Sequence, residues 1–277
     1  MTNAPYAAPS GATNGHQRLR SLFPIGGPTS GHRIDGYRAR VPRVVVTSWL
    51  EEVLRRLEPA TAAPDLSLAA LGVVVLVAAL AALVDPLWRV LRIGITLVHE
   101  LGHAFVGILV GRRFTGFVLR GDMSGHAVTV GKPRGFGRAA TTWAGYPAPG
   151  LVAVALVWLA SAGYAAPTLA ALLALLLVSL PRVRSALTLA VVVVTAAAIA
   201  LLWWQRVDAL QAQVLIGVAL LLLIGGWRHL GALLASPGPG SDAGVLRRLS
   251  GIPTIVWNAT FAATLAASSW GVGRLLA

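Results

Sequence analysis

His99 and His103 stand four residues apart in the run His99-Glu100-Leu101-Gly102-His103. On a helix, positions i and i+4 differ by about 40° around the axis, so two imidazoles at that spacing converge on one metal ion. Glu100 lies beside that ion without being needed as a ligand, which is where a water-activating base belongs. The run falls inside an apolar stretch that reads as a membrane-spanning helix. Ionisable side chains among lipid tails are expensive and mark functional sites. Together these residues could carry out metal-assisted attack of water. The chain has no cysteine, which excludes thiolate ligands, so a zinc ion here must be held by histidine, carboxylate and water.

The elements that must position these groups follow from composition. Of 277 residues, 56% are hydrophobic and 12% charged, against about 25% charged in soluble domains; the mean hydropathy is +0.72. The expected fold is an all-α polytopic membrane domain over residues 63–277. A surface helix with its linker (45–62) and a disordered basic tail (1–44) precede it. Residues 1–40 hold no apolar run of the kind a secretory signal needs. Ser48 and Glu51 have capping-box spacing. Trp49, Val53, Leu54 and Leu57 make an apolar stripe opposite Glu51, Glu52, Arg55 and Arg56, as in a helix lying on a membrane.

Spans are expected near 66–84, 87–110, 141–162, 167–181, 185–204, 211–229 and 252–273, about seven in all. Asp85-Pro86 marks the first turn, and Gly107 and Gly111 have the GxxxG spacing that permits close helix packing. Two β-prone runs, 114–120 and 126–130, flank Gly121-Asp122-Met123-Ser124-Gly125 and predict a hairpin. The net charge of +13 falls mainly in the tail, in 112–138, at Arg182 and Arg184, and in 228–248. That alternation is the positive-inside pattern. It predicts a multi-pass protein of the plasma membrane with a cytoplasmic N-terminus, and nucleic acid is not an expected partner.

A catalytic zinc usually has three protein ligands and a water. The chain has only ten acidic residues, and most are poorly placed. Asp35, Glu51, Glu52, Glu58 and Asp65 belong to the tail, surface helix and linker. Asp85 and Asp208 fall on the outer side, and Asp122 tips the hairpin. His16 and His32 are in the tail, His126 is in the hairpin, and His229 ends a helix beside Arg228. Asp242 remains, after the irregular Ser236-Pro237-Gly238-Pro239-Gly240-Ser241. Irregular backbone at membrane depth is tolerated where it is buried in protein or lines a wet cavity. Asp242 reads either as a ligand or as the N-cap of a helix over 243–249.

In these residues the chain resembles the site-2 protease family of intramembrane zinc metalloproteases. That family pairs H-E-x-x-H on one transmembrane helix with a distal aspartate in N-x-x-P-x-P-x-L-D-G. Pro237, Pro239 and Asp242 match; Leu234, Ser241 and Ala243 depart from the asparagine, leucine and final glycine. Gly145-Tyr146-Pro147-Ala148-Pro149 is similar to the G-Y-x-x-P that opens a helix in small core-only relatives. The likeness covers roughly 90–275, with no PDZ insertion, and the hairpin matches the family's cytoplasmic hairpin in position. It implies Zn²⁺ held by His99, His103 and Asp242, Glu100 as general base, and a transmembrane protein or peptide substrate within the lipid bilayer. An unwound substrate segment would add as a strand to the hairpin edge.

Two other classes share some of these features. A catalytically silent membrane regulator or receptor would keep the metal site without hydrolysis. A metal-ion transporter would want ionisable residues on several spans. Between 150 and 225 the chain offers only Arg182, Arg184, Arg206 and Asp208, all near helix ends.

Overall fold

A computed structural model describes residues 43–61, 66–119 and 125–277. Residues 1–42 of the tail expected over 1–44, and the Asp122 loop tip, lie outside the described residues. The helices and strands are α1 (Arg43–Leu57), α2 (Leu68–Leu83), α3 (Asp85–Leu109), β1 (Arg113–Leu119), β2 (Gly125–Val130), α4 (Phe136–Trp143), α5 (Pro147–Ser161), α6 (Ala165–Ser179), α7 (Ala186–Gln205), α8 (Asp208–Ala235), α9 (Asp242–Ser250) and α10 (Thr254–Leu276). The protein is an all-α membrane protein with one small antiparallel sheet. Among the described residues, four helices, α3, α6 with its 3₁₀ extension, α7 and α8, are long and apolar enough to cross a bilayer. The pair α4 and α5, bent by 64°, makes a fifth if counted as one span. α2 is shorter than a full crossing, and α10 is not among these helices.

Small residues set the packing, as expected where lipid removes the hydrophobic drive between helices. Ala153 and Ala160 of α5 and Ala212 and Ala219 of α8 are fully buried, and these two helices share the most extensive contact. On α8, a Cβ at Gly225 would lie 2.7 Å from Ile95 Cγ1, so only glycine lets α3 cross α8 this closely. α7 is capped at its start by Ser185, whose hydroxyl accepts from Thr188 N–H. At its end, Gln211 Nε2 donates to the Leu202 and Trp203 carbonyls, satisfying groups that the helix terminus leaves open.

Three expectations need correction. α1 begins at Arg43, so Ser48 sits inside the helix and is not its cap. The GxxxG glycines do not act as a pair: a Cβ at Gly107 would meet Thr129 of β2 at 3.0 Å and Thr141 of α4 at 3.5 Å, whereas Gly111 takes φ +76° past the end of α3. The alternating path of the first spans is also not what the chain follows. Ala60 N–H donates to Gly163 O, and the Arg206 guanidinium donates to the carbonyls of Arg55 and Glu58. Arg206 reaches them from a left-handed conformation, φ 49°, steadied by Asp208 at 2.7 Å. The turns at 163 and 206 are the ends of α6 and α7 far from the hairpin, where α1 was expected. Arg228 of α8 donates to Ala82 O at 2.7 Å, while Val74 faces Gly217. α2 therefore runs beside α8 in the same direction, where alternation required opposite directions.

The hairpin is close to its expected limits. Phe114 pairs with Thr129 and Gly116 with Val128, leaving Thr115 as a bulge. The outer edge of β1 is covered: Phe117 bridges to Val183, and Leu119 N–H donates to Thr188 Oγ1 at 2.8 Å. β2 lies along α3. Arg112, buried at the end of α3, ties this arrangement together by donating to Thr129 Oγ1, Thr129 O and Lys132 O.

Candidate metal centre

α3 presents His99 and His103 one turn apart, with Nε2 atoms 3.1 Å from each other. Asp242 Oδ2 arrives 3.3 Å from both. Asp242 can do so because Ser241 takes the capping role: its hydroxyl accepts from Gly244 N–H at 3.2 Å. Of the two readings open at Asp242, the N-cap is thus filled by its neighbour, and the carboxylate is the first helical residue of α9. His103 Nδ1 lies 2.7 Å from Thr141 O. A carbonyl only accepts, so Nδ1 carries the proton there and Nε2 is left with its lone pair.

The two Nε2 atoms and Asp242 Oδ2 therefore converge, and Asp242 Oδ2 is buried with no hydrogen-bond partner. A buried carboxylate gathered this closely with two imidazole nitrogens is a donor set that suits a cation between them. Tetrahedral ligands at zinc's bond lengths of about 2.0–2.1 Å lie about 3.3 Å apart. The observed separations of 3.1 and 3.3 Å fit that edge length.

The walls are as informative as the ligands. The bend between α4 and α5 brings Gly145 against both rings: a Cβ there would lie 2.5 Å from His103 Cε1 and 2.6 Å from His99 Cε1. Tyr146 meets the edge of His99, ring centroids 5.0 Å apart, and stacks on Phe261 behind it. Glu100 is buried, with Gly125 of β2 against its side chain; a Cβ at Gly125 would be 2.5 Å from Oε1 and 2.8 Å from Cδ. A cavity of about 410 Å³ opens over these groups, and Thr96, His126, Ala127, Arg138 and His229 also line it.

A family model described as Peptidase M50B-like matches residues 72–272. The chain belongs to that family. The match starts in α2 and ends in α10, so every group of the centre lies within it and α1 does not. The Peptidase M50B-like assignment makes the chain a member of the site-2 protease family, a group of membrane-embedded metallopeptidases that use zinc. No curated protein and no solved structure matches the chain.

All four residues singled out in the sequence, His99, Glu100, His103 and Asp242, line this cavity. Several others were missed. Gly145 was noted only as part of a helix opening, and the Thr141 carbonyl has no sequence signature. The apolar run places His229 at a helix end, yet α8 continues to Ala235. It lies one turn beyond Gly225, the glycine that admits α3. That four-residue step from a contact glycine was the available signal.

Proposed function

We propose that this Peptidase M50B-like protein is an intramembrane zinc metalloprotease, with His99, His103 and Asp242 as the ligands and Glu100 as general base. The observation that carries the reading is the meeting of two imidazole nitrogens and a buried carboxylate oxygen at tetrahedral-edge separations. When bound, zinc supplies Lewis acidity, polarising a carbonyl and lowering the pKa of water to roughly 7. With the metal held there, Glu100 would accept a proton from the attacking water and return it to the leaving amine. The hydrogen bond to Thr141 O holds the His103 ring in its ligating tautomer. Gly125, lacking a side chain, leaves room for the Glu100 carboxylate under β2.

The substrate is a peptide segment of a membrane protein, unwound so that its carbonyls are accessible. β1 has its outer edge occupied by 183–188, whereas Gly125, Ala127 and Thr129 of β2 line the cavity. An extended segment adds along β2, guided by backbone hydrogen bonds. The family asparagine has no counterpart: Leu234 is exposed at the end of α8 and is not part of the cavity. The polar side chain α8 does offer there is His229. The hairpin, the Arg182–Arg184 turn and the Arg247–Arg248 helix face the cytoplasm.

The full chain in lipid nanodiscs should hold about one zinc. Glu100→Gln should keep the zinc and lose cleavage, and His99→Ala should lose both. Membrane proteins retained by Glu100→Gln and shortened by the parent chain identify the substrate. Cleavage that survives Glu100→Gln overturns the assigned base; a chain that never retains zinc overturns the centre.

A further inference from the structure

On a different face of α3 from the imidazoles, an apolar cavity of about 600 Å³ lies between α3, α5 and α6. Phe105 and Ile108 of α3, Leu151 of α5, and Leu175 and Val178 of α6 form its walls, each about half exposed or more. No carboxylate lines it. Such walls offer water no partners, so water does not fill the space. In a bilayer an apolar chain does.

The cavity is not apolar throughout. At its hairpin end it reaches Ser179 and Arg182. Arg182 is exposed, and its Nη1 is 3.3 Å from Val178 O. Arg184, two residues on, donates to Thr115 O at 2.9 Å. Among the described residues, neither has a carboxylate within ion-pair distance. An apolar slot between helices with uncompensated guanidinium charge at its interfacial end matches an anionic lipid: tail inside, phosphate at the mouth.

We propose that this cavity is a binding site for an acyl chain of an anionic phospholipid whose phosphate is held by Arg182. The site is separate from the metal centre and stands whether or not the hydrolytic reading does.

The test uses the full chain in phosphatidylcholine nanodiscs doped with a lipid bearing a photoreactive diazirine in one acyl chain. The probe lipid is phosphatidylglycerol or, in parallel, phosphatidylcholine. With phosphatidylglycerol, crosslinks should concentrate on 101–108, 147–152 and 172–178. Arg182→Gln should lower that labelling about fivefold and leave phosphatidylcholine labelling unchanged. Leu151→Trp and Leu175→Trp fill the cavity from different walls, and each should abolish the concentrated labelling. Equal labelling of the parent chain by the two lipids overturns the headgroup assignment. Labelling spread evenly around the apolar belt, or unchanged in the tryptophan variants, overturns the site. Should one tryptophan variant fail to fold, the other decides; the comparison of the two lipids on the parent chain decides regardless.

Discussion

Gly145→Ala is the sharpest test of how the centre is held. The added Cβ would lie 2.5 Å from His103 Cε1 and 2.6 Å from His99 Cε1, where ordinary contacts begin at 3.4 Å. One side must yield by about 1 Å, while metal sites tolerate about 0.2 Å. If the rings retreat, the ligand triangle opens. If the backbone retreats, the bend between α4 and α5 relaxes and Thr141 O leaves His103 Nδ1. Losing one supporting contact of a ligand typically costs 10–100-fold in metal affinity. Two ligands shift here, so zinc affinity should fall by at least about 100-fold. The assay is competition against chelators of graded strength, with bound zinc counted by mass spectrometry. Gly231→Ala, where a Cβ meets nothing within 4 Å, controls for the substitution itself and should hold zinc as the parent does. Parent-like zinc affinity in Gly145→Ala would refute the packing.

Other outcomes follow from the same contacts. Gly125→Ala adds a Cβ whose three nearest atoms all belong to Glu100, so cleavage should fall by about 10²–10⁴ at unchanged zinc content. Asp242→Ala leaves two imidazoles and should give a chain that loses zinc to a mild chelator. Arg112→Met removes three charge-assisted hydrogen bonds from the base of the hairpin; a local loss of about 2–4 kcal/mol should appear as faster proteolysis within 113–131.

What was legible in the sequence depended on how local its cause is. The imidazole pair is set by helical periodicity alone, so it was visible at once. The helix limits near 68–83 and 186–205 follow from apolar run length and from breaks such as Asp85-Pro86, whereas α8 runs six residues past the expected end at 229. Asp242 was reachable because acids are so scarce. The position of α1 was not: it rests on a left-handed Arg206 roughly 150 residues away, and loop charges say nothing of such a contact. The shared direction of α2 and α8 was hidden likewise, since counting spans assumes that each apolar run crosses. Gly145 and His229 escaped because their roles come from which helices meet there.

One contact has a bearing on how such centres drift over time. The orientation of His103 is fixed by a main-chain oxygen at position 141, and every amino acid carries one. Replacements at 141 that fit the space would leave that anchor intact, so an alignment of relatives would show variation where the centre depends on the chain's path. Loss of this anchor would instead trace to residues that steer the backbone, several positions away from any imidazole.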